Sequence, residues 1–169
     1  DEDLFIEYFN RHPEVKLIIA PHVIDENHLV EIIRKLKRPY VRYTRADEKN
    51  VRKADCLIID CFGLLSSIYR YGEIAYIGGG FGVGIHNTLE AAVYGIPVIF
   101  GPKYQKFQEA IQLLEAKGAF SVKDYEELKT LLDRMLTDEV FLRESGMNAS
   151  NYVTGNAGAT DKIMSMINF

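Results

Sequence analysis

The chain is short of metal ligands. It has two cysteines and four histidines in 169 residues, at spacings that fit no zinc or iron–sulfur pattern. No metal or other cofactor is expected. Cys56 and Cys61 lie five apart in one apolar strand segment. That spacing points them to opposite faces, so they read as reduced core residues and not as a disulfide. No apolar run approaches the roughly 20 residues needed to span a bilayer, and no signal peptide is present. Basic charge is not in excess: 20 Lys and Arg stand against 24 Asp and Glu, for a net charge of −4. With a pI near 5.6 and no basic face, nucleic acid is excluded as a partner. No GxGxxG follows the first strand, and no Gly-Lys-Ser/Thr follows the glycine-rich loop. These absences argue against dinucleotide binding and P-loop hydrolysis. There is no internal repeat, linker or low-complexity segment.

What is present is one domain's worth of chain, 47% hydrophobic, enough for a full core. Residues 1–169 are expected to form a single domain, and the start at Asp1 suggests one excised from a longer protein. Apolar runs of strand length fall at 16–20, 40–44, 56–60, 74–78, 97–100 and 119–122. Runs such as Leu57-Ile58-Ile59 lack polar alternation, as in strands covered on both faces. Helical patterns lie between them, at 25–37, 104–117, 124–136, 138–148 and 156–168. Asp25 is placed to cap the first, and Asp124 with Glu127 to open the third in capping-box style. The alternation implies right-handed βαβ units and a parallel sheet. The fold class is α/β, Rossmann-like, with three α/β/α layers.

In such sheets ligands bind beyond the carboxyl ends of the strands. That edge gathers Pro21-His22, Asp60 to Gly63, the glycines of 78–84, and Gly101 to Lys103. The densest signal is GGGFGVGIHNTLEAAVYGIPVIFG at 78–101. Glycines 78, 79, 80, 82 and 84 allow positive φ and close backbone approach. With the helix start that follows, they could cradle an anion; a tight turn that needs glycine is the plainer alternative. Asn87 and Glu90 share a face in a helix's first turn. They suit either a ribose diol or a cap with its N3 partner. His86 could reach a phosphate. Phe62 and Gly63 could wall a base, or Phe62 could be core. His22 is either structural or a ligand contact, and Lys103 and Lys106 read as solvated.

Residues 60–109 resemble the C-terminal, donor-binding half of bacterial 3-deoxy-D-manno-octulosonic acid (Kdo) transferases. The matching pieces are Asp60-x-x-Gly63, Gly78-Gly79, His86-Asn87-x-Leu89-Glu90-Ala91-Ala92, Gly95-x-Pro97-Val98, Gly101-Pro102 and Phe107. Pro21-His22 resembles part of an earlier motif, although Val23 stands where the family has arginine. The resemblance implies the C-terminal half of a GT-B fold. It implies CMP-Kdo as donor and a lipid A precursor as acceptor, in lipopolysaccharide biosynthesis at the cytoplasmic side of the bacterial inner membrane. Acceptor, catalytic base and membrane contact would belong to an N-terminal domain that this chain lacks. An opening strand ahead of Asp1 would be missing too. No catalytic residue is therefore expected here, and the fragment alone should not transfer sugar. The donor-site residues implied are His22, Phe62, Gly63, Gly79, Gly80, His86, Asn87 and Glu90. Two other readings stay open: a UDP-sugar GT-B enzyme, either transferase or UDP-GlcNAc 2-epimerase, and a non-enzymatic α/β interaction module.

Overall fold

The structure is a computed structural model that describes residues 1–156. It divides into two compact units, the first being Asp1–Gly72 with Lys123–Leu132 and the second Glu73–Val122 with the chain from Asp133 onward. All six described strands run parallel to their neighbours, as expected, and hydrogen-bond as two three-stranded sheets.

The first unit opens with α1 (Glu2–Arg11), which the sequence reading did not foresee. It continues through β1 (Leu17–Ile19), α2 (Glu26–Lys35), β2 (Tyr40–Arg42), a 3₁₀ turn at Tyr43–Arg45, α3 (Glu48–Val51), β3 (Cys56–Ile58) and α4 (Leu65–Ile68). Asp25 caps α2 as expected, its Oδ1 accepting from the N–H groups of Asn27 and His28 at 2.9 and 3.1 Å. β3 lies between β1 and β2, with Leu17, Cys56 and Tyr40 in one row and Ile19, Ile58 and Arg42 in another. Ile19, Cys56 and Ile58 pack with Ile6 and Phe9 of α1 and with Leu29 and Ile32 of α2. The chain between α1 and β1 is gripped by Arg38. Its guanidinium donates to the carbonyls of Phe9, His12, Pro13 and Val15 at 2.8 to 2.9 Å and lies 4.0 Å from the Phe9 ring centre.

The second unit holds β4 (Ala75–Ile77), α5 (Leu89–Ala92), β5 (Val98–Phe100), α6 (Gln108–Glu115) and β6 (Ala119–Ser121). α7 (Tyr125–Thr137) begins among the residues of the first unit and ends among those of the second. Asp124 Oδ1 accepts from Glu127 N, while the Glu127 carboxylate accepts from Lys123 N, both at 2.9 Å. That is the expected capping-box pattern displaced by one residue on its return bond. α8 (Glu139–Asn156) runs well past the expected end at 148. The helix expected at 156–168 falls, after Asn156, outside the described residues. β5 lies between β4 and β6, and Val98, Ile99 and Phe100 are each 0% exposed. Such a strand needs apolar side chains on both faces. α8 packs on α5 and α6. Its Gly146 meets the Gly95 turn so closely that a Cβ would lie 2.2 Å from Gly95 O, and Ala149 meets Gly118 the same way at 2.6 Å.

Candidate functional site

The glycine loop follows β4, at the carboxyl end of the sheet. It folds on itself: Gly82 N and Gly84 N both donate to Gly79 O, at 2.9 and 3.2 Å, and His86 N donates to Gly78 O at 3.1 Å. Gly79 has φ +92°, and a Cβ there would lie 2.2 Å from Gly84 O. Gly80 faces Gly101, whose backbone N would be 2.5 Å from a Cβ. These two glycines are therefore required by contacts within the chain. Gly82 differs, since a Cβ there would meet only Gly79 O at 3.5 Å.

The turn after β5 is fastened to the same loop. Lys103 N donates to Gly80 O at 2.9 Å, and Lys103 Nζ donates to Gly82 O at 2.9 Å. Lys103 is exposed, as expected of a solvated lysine, but its ammonium is directed onto the loop.

Asn87 and Glu90 meet as their spacing requires, with a change of roles. Asn87 Oδ1 accepts from Leu89 N at 3.0 Å, a capping bond, and Asn87 Nδ2 donates to Glu90 Oε1 at 3.0 Å. Glu90 thus holds the asparagine side chain and not its backbone N–H. No described hydrogen bond reaches the other Glu90 oxygen. His86 and Asn87 are exposed and Glu90 is half-buried. Between them Thr88 is 1% exposed, and its Oγ1 has no hydrogen-bond partner among the described atoms. α5 itself is only four residues long. Gly79, Gly80, His86, Asn87 and Glu90 all lie in the second unit.

His22, Phe62 and Gly63 belong to the first unit. His22 is exposed. Phe62 is 83% exposed, so it is not a core residue. Gly63 has φ +86°, and a side chain there would meet nothing within 4 Å, so backbone conformation alone calls for glycine. This loop hangs from Asp60, which the sequence reading left without a role. The Asp60 carboxylate accepts from Thr44 Oγ1 at 2.6 Å, from Thr44 N at 2.9 Å and from Arg42 Nε at 2.8 Å. Arg42 also reaches Glu26 at 2.7 Å. Burial alone would raise the Asp60 pKa, but the bonds from Thr44 and Arg42 outweigh it and hold it at about 2. Cys56 is buried, which pushes its thiol up to about 12, and Cys61 is half-buried; both are free thiols. Among the described residues no cluster of His, Cys, Asp and Glu could hold a metal ion. None of their helices is long and apolar enough to cross a membrane.

No protein-family model matches the sequence. Among curated proteins it is 36% identical over 135 residues to a 3-deoxy-D-manno-octulosonic acid transferase of Aquifex aeolicus, covering 79% of this chain and 37% of that protein. It is 28% identical over 170 residues to the same-named protein of Rickettsia felis, covering 98% of this chain and 34% of that one. Among solved structures it matches the C-terminal CMP-Kdo binding domain of WaaA from Acinetobacter baumannii, with a TM-score of 0.76 at 19% identity over 90% of this chain and 82% of that one. Fold and sequence together define a C-terminal domain of a glycosyltransferase. The chain spans about a third of the length of the curated relatives it matches, 37% and 34%. It belongs to the family of 3-deoxy-D-manno-octulosonic acid transferases and corresponds to their C-terminal domain.

Proposed function

We propose that the chain binds CMP-Kdo, the donor of a transferase that adds Kdo to a lipid A precursor in lipopolysaccharide biosynthesis. The observation that carries this is the identity to the Aquifex aeolicus transferase over 79% of the chain. In this reading residues 1–169 act as one nucleotide-sugar-binding domain of a two-domain enzyme. The acceptor and the catalytic base belong to the N-terminal domain. The intact enzyme works at the cytoplasmic side of the bacterial inner membrane, and membrane contact falls to that other domain.

The residues of the second unit supply the chemistry of donor binding. Glu90, with one oxygen held by Asn87, offers the other to the ribose hydroxyls. A carboxylate accepting from a hydroxyl forms a short, strong hydrogen bond. The loop from Gly79 to Gly84 brings backbone close to the phosphate, with His86 beside it. As the sugar leaves CMP, negative charge grows on the phosphate. Donors already aimed at that oxygen lower the barrier without reorganising.

The test is a calorimetric titration of the purified chain and its Glu90→Ala variant with CMP and with UMP. CMP binds in preference to UMP, and the variant loses at least about tenfold in CMP affinity, the worth of one hydrogen bond to a charged group. A preference for UMP moves the chain to a UDP-sugar enzyme. Silence toward both overturns nucleotide binding by this domain.

A further inference from the structure

We infer that Lys103 is the cation that receives the donor's phosphate, a role that rests on the donor-binding reading above. A phosphate in this site needs positive charge, and the chain as a whole is acidic, at −4. The helix after the glycine loop cannot supply it. α5 has four residues, too few for an appreciable macrodipole. One of its leading N–H groups, that of Leu89, is already taken by Asn87. Within residues 78–107 the only lysines are Lys103 and Lys106, and arginine is absent.

Of the two, Lys103 is the one the fold delivers. Its own N–H is fixed to Gly80 O, and Gly80 and Gly101 touch backbone to backbone. The root of the side chain is therefore held against the loop. The ammonium rests on Gly82 O at 2.9 Å, over the glycine that the chain's own packing does not require. An exposed bond to a neutral carbonyl is weak. A phosphate oxygen is the stronger acceptor for the same ammonium. Lys103 thus waits on the loop, and an arriving phosphate draws it across by a small rotation of the side chain. Lys106 makes no described hydrogen bond and is exposed.

The purified chain and its Lys103→Gln, Lys103→Arg and Lys106→Gln variants are titrated with CMP and with cytidine by calorimetry. Lys103→Gln weakens CMP at least about tenfold and leaves cytidine unchanged. Lys103→Arg recovers most of the loss, and Lys106→Gln behaves as the parent. Equal losses for CMP and cytidine would show that Lys103 only shapes the loop, and overturn the inference. Unchanged CMP binding in Lys103→Gln, with Glu90→Ala still impaired, sinks the lysine's role and leaves donor binding standing. A parent chain that binds neither ligand removes both.

Discussion

The two sheets have the same three-stranded parallel form and are held by different means. In the second unit the middle strand, Val98–Phe100, is wholly buried, and its neighbours keep Ala75, Ile77 and Ala119 at 5% exposure or less. In the first unit the face carrying Ile19, Cys56 and Ile58 is sealed by α1 and α2. In the row on the other face cover is uneven, with Val41 6% and Ile18 38% exposed. There, polar clamps bind the strand ends: Arg38 on four carbonyls, and Asp60 on Thr44 and Arg42. Burial on both faces fixes the second sheet by volume, where any missing atom leaves a void. The first sheet adds to one well-packed apolar face a few directed bonds that fail one at a time.

The sharpest break in this comparison is Phe100→Ala set against Ile18→Ala. The first should lose about 4 kcal/mol. The second should lose about 1 kcal/mol or less, since much of its side chain already meets water. Urea titrations of both variants measure the difference, and similar losses would erase the contrast. Next in size is Gly80→Ala, whose new methyl would collide with the Gly101 backbone, 2.5 Å away. Neither side can yield, and a loss of about 3 kcal/mol is expected. Asp60→Asn should cost about 2 kcal/mol at neutral pH, the worth of hydrogen bonds to a charged group. The Asp60 carboxyl has a folded pKa of about 2, below an unfolded value of about 3.9. Its stabilisation is therefore complete above pH ~4 and is lost as pH falls toward 2. Urea midpoints from pH 6 to pH 2 should slope less in Asp60→Asn than in the parent. The smallest effect is expected at Thr88→Val, which swaps an unpartnered buried hydroxyl for a methyl. Stability should stay within about 0.5 kcal/mol of the parent or rise, as thermal melts would register.

All six described strands were legible because each is a compact apolar run between polar or glycine residues. The caps at Asp25 and Asp124 were legible because capping is local. α1 was not foreseen, although Ile6 and Phe9 stand three apart and meet the same cluster. The expected helix at 138–148 passes through Gly146, a contact point, but stops short of the end of α8 at Asn156. At the site, Asn87 and Glu90 could be paired from their spacing. The clamp on Asp60 reaches back 16 and 18 residues, and the bond from Lys103 to the loop spans 21. Such partners are set by sheet topology, and no local pattern announces them.

The seating of α8 bears on how this domain can be recombined with others. Gly95 with Gly146, and Gly118 with Ala149, meet as backbone against backbone at separations that leave no room for adjustment. Each pair acts as lock and key parts cut together. A crossover between residues 119 and 138 would give a hybrid its turns from one parent and its helix from another. Such a hybrid keeps its seat only where both parents carry small residues at all four positions, so functional shuffling of this domain has to move 95–118 and 139–156 as one inherited block.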